Sequence, residues 1–71
     1  MKIRYFPDTD TLSIRLNDRP STESEEVATD VVIDFDADGG VVGLEIDLAS
    51  SKVDLKALEL SGFLTPEAIA G

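Results

Sequence analysis

With 71 residues, a formal net charge of −9 and neither cysteine nor histidine, the chain is confined to one small domain and a short menu of chemistry. Disulfides, cysteine-based zinc sites and Ser-His or Cys-His nucleophiles cannot be assembled from it. The charge argues against direct binding to nucleic acid or to an anionic membrane surface, and favours a basic protein partner.

Taken in order, Lys2 to Phe6 and Thr11 to Leu16 predict a first hairpin within residues 1–16. Ile3 and Tyr5 share a face with Leu12, Ile14 and Leu16, while Lys2, Arg4, Thr11, Ser13 and Arg15 point the other way. Pro7-Asp8-Thr9-Asp10 is the turn, because proline presets φ and aspartate side chains bond the backbone two residues on. Phe6 falls on the polar face. Residues 17–26, NDRPSTESEE, lack any apolar period and contain Pro20, so they predict a polar loop.

Residues 27–48 predict a second hairpin. Val31, Ile33 and Phe35 alternate with Asp30, Val32, Asp34 and Asp36, and Val42, Leu44, Ile46 and Leu48 alternate with Val41, Gly43, Glu45 and Asp47. Between the runs lies Ala37-Asp38-Gly39-Gly40, and Asp-Gly is a strong signal for a tight hairpin turn. A turn at Asp38-Gly39 would place Asp36 opposite Val41, Asp34 opposite Gly43 and Val32 opposite Glu45. One face is then apolar, and the other carries Asp30, Asp34, Asp36, Glu45 and Asp47, interrupted only by Val32 and Val41.

The same residues match the calcium-loop pattern of the EF-hand, with Asp34, Asp36 and Asp38 followed by Gly39 and then Glu45. Calcium needs such a set because it takes six to eight hard oxygen ligands. Both flanks alternate as strands rather than helices, so Glu45 would sit well down the hairpin, away from the ion. A solvated acidic face is the reading that context favours. Weak divalent-cation binding at the Asp34-Asp36-Asp38 turn, with Glu45 as a further candidate ligand, stands as the alternative.

After Leu48 a helical C-terminal segment is predicted over residues 51–71. Ser51 would be the N-cap, Asp54 would favour the positive end of the dipole, and Gly62 would stop the helix. Val53, Leu55, Ala57, Leu58 and Leu60 occupy more of that helix than the stripe of about 100° needed to cover one sheet. The surplus suggests a second copy. Val53, Leu55 and Ala57 also alternate, so a fifth strand at residues 52–61 remains open. Thr65-Pro66 begins a short terminal helix that ends at Gly71.

Met1-Lys2-Ile3-x-Tyr5, Asp8-x-Asp10-x-Leu12-x-Ile14, Val32-Ile33-Asp34-Phe35-Asp36, Asp38-Gly39 and Val42-Gly43-Leu44-Glu45-Ile46 resemble the bacterial family known as domain of unknown function 2283. The resemblance spans roughly residues 1–50. It implies that Asp38-Gly39 belongs to a β-turn rather than to a calcium loop. It implies no catalytic residues, since the family has no established activity. The occurrence of such proteins beside small toxin-like proteins implies an antitoxin-like role. Ser13 stands where members usually carry tyrosine, and the segment after Ser51 is longer and more apolar than the resemblance leads one to expect.

The expected fold is therefore α+β: two consecutive β-hairpins forming a four-stranded antiparallel sheet, with a C-terminal helix packed on one face. A core of this size supplies roughly 3–5 kcal/mol, and oligomerisation is the remaining ordinary means of enlarging it. The expected function is a non-enzymatic acidic interaction module without a cofactor, self-associating and binding a basic protein. No secretory or membrane-spanning run is present, so a cytoplasmic location is expected.

Overall fold

The structure is a computed structural model that describes residues 1–63. Five strands form one antiparallel sheet: β1 (Lys2–Phe6), β2 (Thr11–Arg15), β3 (Glu23–Ala28), β4 (Val31–Phe35) and β5 (Val41–Asp47). Their spatial order is β1-β2-β5-β4-β3. The connection after β2 thus crosses to the far edge, and three hairpin-linked strands return to β2 in a Greek-key arrangement. That crossing is pinned along the way. Leu16 donates its N–H to the carbonyl of Val42 at 2.9 Å, and Thr22 donates to Phe35 at 2.8 Å.

The expected four strands and C-terminal helix are corrected here. The fifth strand is β3, which lies partly inside the stretch assigned to a polar loop and not at residues 52–61. It escapes a pattern search because it is an edge strand exposed along its whole length, so no core imposes alternation on it. Among the described residues there is no α-helix, only a 3₁₀ turn at Ala49–Ser51. Ser51 does not act as an N-cap, and its hydroxyl instead donates to the carbonyl of Leu48 at 2.8 Å. An amphipathic segment of this length is marginal in water without a surface to cover. The short helix expected from Thr65 onward lies outside the described residues.

Side chains opposite each other in an antiparallel pair point to one side, so the register defines both faces. The apolar face has one row of Ile3, Ile14, Leu44 and Ile33, ending at Glu25 on the β3 edge. A second row runs through Tyr5, Leu12, Ile46, Val31 and Ala28. Every extensive contact between elements joins strands that are neighbours in the sheet. Leu12, Val42 and Ala49 are the buried apolar residues among those described, a very small core for a sheet of this size.

Gly43 shows why β2 and β5 can lie this close. A Cβ at that position would stand 2.9 Å from the carbonyl oxygen of Ile14 and 3.6 Å from Cδ of Arg15. At the end of the sheet, Asp10, Asp30 and Leu48 have φ of 54°, 63° and 53°, the left-handed region. Aspartate tolerates that region through local hydrogen bonds, whereas for leucine it costs about 1–2 kcal/mol. The bend at Leu48 is what directs the chain away from β5 into its C-terminal segment.

Candidate functional site

The acidic hairpin tip is built around Asp36. The β4–β5 connection is a three-residue loop, Ala37 to Gly39, rather than a two-residue turn. Gly39 donates to the carbonyl of Asp36 at 3.1 Å, and Asp36 donates to that of Gly40 at 2.8 Å. Of the loop residues only Gly39 has positive φ, at 83°, whereas either mirror-image two-residue turn centred on Asp38-Gly39 needs it at Asp38. The cause is the Asp36 carboxylate. Its Oδ1 accepts the N–H groups of Asp38 at 2.9 Å and Gly40 at 2.8 Å, and this fixes the wider loop.

The loop carries an irregularity into the ladder. Phe35, not Asp36, pairs with Val41, and a bulge between Asp34 and Phe35 absorbs the difference. Below the bulge the expected register holds, with Asp34 opposite Gly43 and Val32 opposite Glu45.

The remaining Asp36 oxygen, Oδ2, meets Nε of Arg19 at 3.0 Å. The Gly40 N–H above all, then the Asp38 N–H and the Arg19 guanidinium, holds this carboxyl below the usual carboxylate range, while burial pulls the other way. Asp36 is thus a structural keystone of the loop, with both oxygens engaged. Asp34 points onto the polar sheet face, where it accepts the Ser24 hydroxyl at 2.6 Å. Asp38 is exposed at the tip, and Glu45 lies on β5 opposite Val32. No group of three or more Asp, Glu, His or Cys side chains suited to a metal ion exists among the described residues. Asp34, Asp36, Asp38 and Glu45 are therefore not assembled as one ligand set.

What the fold does assemble is a polar face of divided charge. One row runs Lys2, Arg15, Gly43, Asp34 and Ser24, and the next runs Arg4, Ser13, Glu45, Val32 and Glu26. Lys2, Arg4 and Arg15 stand on β1 and β2, whereas Glu45 and Asp47 on β5, Asp34 on β4 and Glu26 on β3 fill the other half. Neither half neutralises the other: the two ion pairs among the described residues are Arg19–Asp36 and Lys52–Asp30. The concavities are shallow. One of about 380 Å³ is lined by Met1, Lys2, Arg15, Asn17 and Asp18, and a smaller one lies beside the acidic loop.

A second polar cluster, which the sequence reading did not single out, sits at the opposite end of the sheet. The Asp10 carboxylate accepts the Ser50 hydroxyl at 2.6 Å, the Tyr5 hydroxyl at 2.7 Å and the Ser50 N–H at 2.9 Å. The Ser50 and Tyr5 hydroxyls hold Asp10 below its ordinary range, and the Asp10 bond raises Tyr5 above its own. Nearby, Lys52 Nζ reaches Asp30 Oδ2 at 3.4 Å. The signal available in the sequence was Asp10 ending the Pro7 turn, but its partner is forty residues away. These bonds tie the base of the C-terminal segment to the sheet.

Residues 2–50 match the model of the family described as "Protein of unknown function (DUF2283)", and the chain belongs to that family. No curated protein and no solved structure matches it.

Proposed function

We propose, starting from membership of a family without an assigned activity, that this chain is a non-enzymatic interaction module that self-associates and offers its acidic half-face to a basic protein. An antitoxin-like pairing with a small basic protein is one form of this reading. The observation that carries it is the contrast between the two faces of the sheet. One is a set of apolar rows on which no other strand is stacked among the described residues, and the other groups Glu26, Asp34, Glu45 and Asp47 on β3, β4 and β5. Domains ordinarily bury an apolar sheet face against a second layer. A one-signed patch speeds encounter with an oppositely charged surface and rejects like-charged ones. Open, shallow concavities suit a broad protein surface better than an enclosed small molecule.

The test is capture from lysate by the tagged chain at low salt, followed by elution with salt and titration of the recovered protein. Glu26→Lys with Glu45→Lys reverses two exposed charges on one row without touching the Asp36 loop. Weaker binding and a shallower salt dependence are expected. Unchanged affinity for the recovered partner removes the acidic face from the account.

A further inference from the structure

We infer that the recess at the β1–β2 side of the polar face binds a phosphate group, held between Lys2 and Arg15. This site lies apart from the acidic half-face and stands whether or not that half-face has a partner. Lys2 on β1 is directly opposite Arg15 on β2, so both side chains emerge on one side of the sheet. Like charges so placed repel and destabilise the pair of strands. Here they stand together in a chain with fifteen Asp and Glu residues against six Lys and Arg. Among the described residues Arg19 and Lys52 have carboxylate partners, Asp36 and Asp30, whereas neither Lys2 nor Arg15 has one. Asp34, in the same row but two strands from Arg15, accepts Ser24 instead, and Glu45 lies opposite Ser13. Two facing cations without a carboxylate between them stabilise an anion that arrives from outside.

The surroundings make a seat of this pair. Lys2 and Arg15 line a recess of about 380 Å³ together with Met1, Asn17 and Asp18. That is near the lower end of the range for small-molecule sites, about 300–1,000 Å³. A single phosphate group needs anchored donors rather than enclosure. The anchoring comes from the start of the crossing connection. Arg15 Nη2 donates to the Arg19 carbonyl at 2.9 Å, and the Arg19 N–H donates to Asn17 Oδ1 at 3.0 Å. Leu16 is tied to Val42, and Asn17 Nδ2 reaches the Val41 carbonyl at 3.5 Å. The half-buried guanidinium is therefore held before any ligand arrives, and its Nε and Nη1 make no hydrogen bond among the described residues. Donors fixed in advance lose little freedom on binding. Opposite this rooted fork, exposed Lys2 offers an ammonium on a flexible stem that can close onto the ligand.

Phosphate suits the pair better than a carboxylate does. A phosphate monoester carries about −1.5 to −2 near neutral pH, which matches two cations rather than one. Its oxygens point in several directions, so it accepts from the planar guanidinium and the ammonium at once. Asp18 is the one carboxylate among the lining residues. With the chain's charge of −9 it opposes loosely attracted anions, so binding depends on direct bonds to Lys2 and Arg15. A nucleic-acid backbone is disfavoured on the same ground, because its affinity comes from many phosphate contacts together.

The experiment is a titration of the full chain with inorganic phosphate, with ionic strength held constant by sodium chloride. The readout is the NMR spectrum of the backbone amides and of the arginine Nε–Hε groups of Arg4, Arg15 and Arg19. The Arg15 signal is expected to shift saturably, while those of Arg4 and Arg19 stay near their starting positions. Arg15→Gln and Lys2→Gln should each weaken binding about tenfold or more, read from the amides around the recess. Arg15→Lys keeps the charge but loses the fork, and should fall between these and the wild type. Arg4→Gln removes the same charge from the next row, outside the recess, and should change affinity less than about twofold. All four substitutions are at exposed or half-buried side chains, so far-UV circular dichroism should show the strand signal unchanged. A phosphoserine peptide used in place of inorganic phosphate identifies the source. Tighter binding of the peptide supports the site with a phosphorylated protein as its ligand, and equal binding supports it with a free phosphate compound. No saturable shift, the same shift with chloride alone, or acetate bound as tightly as phosphate overturns the assignment. So does an Arg4→Gln loss equal to that of Arg15→Gln, which would reduce the effect to diffuse charge.

Discussion

Alanine at Gly43 should destabilise the domain because the space it needs is already occupied. The new Cβ would stand 2.9 Å from the Ile14 carbonyl oxygen, closer than such atoms approach in real proteins. Ile14 pairs with Leu44 and Arg15 with Gly43, so relief requires β2 and β5 to part at the centre of the sheet. Overpacking of this kind costs about 1–3 kcal/mol, partly offset by about 0.4–1 kcal/mol from the reduced freedom of the unfolded chain. The net, about 1–2 kcal/mol, is a large share of the roughly 3–5 kcal/mol that a core of this size supplies. It should lower Tm by about 4–16 °C in a domain of this length. Gly39 provides the contrast. Alanine there meets nothing within 4 Å but must adopt φ of 83°, a conformational cost of about 1–2 kcal/mol. Asparagine tolerates that conformation, so Gly39→Asn should recover much of the loss, whereas Gly43→Asn should be worse than Gly43→Ala. Urea unfolding of the four variants, followed by far-UV circular dichroism, separates the two mechanisms. A Gly43→Ala protein as stable as wild type, or a Gly43→Asn protein more stable than Gly43→Ala, would refute the steric argument.

Two further outcomes follow from the carboxylates. Asp36 and Asp10 are held below their unfolded values, so each contributes stability above an unfolded pKa of about 3.9 and loses it as pH falls through the folded value. Asp36→Asn should therefore lower the urea midpoint at neutral pH and flatten its decline in acid. A variant curve parallel to the wild type would show that Asp36 does not titrate with folding. The Tyr5 hydroxyl, raised by its bond to Asp10, should ionise at higher pH than a free tyrosine. Asp10→Asn should bring it back toward the ordinary range in an ultraviolet titration, and an unmoved Tyr5 curve would count against that bond.

The sequence by itself determined the two apolar hairpins, their shared face and the position of the Asp-Gly loop. A period of two is imposed wherever one face of a strand is kept at least partly from water, and Leu12, Ile14, Leu44 and Ile33, buried or half-buried, are such positions. It also placed Asp34 opposite Gly43 and Glu45 opposite Val32, since below the loop the side-chain period allows no slip. Three things were left to the tertiary structure. Glu23 to Ala28 became a strand chiefly through backbone bonds to β4, and those leave no mark on an exposed edge. Asp36 became the keystone of the loop, because its partners Gly40, Asp38 and Arg19 reach it through the bulge and the crossing connection. Lys52 to Ser61 carries helix signals at both ends without forming one, because a helix of that length exists only where something is there to cover it.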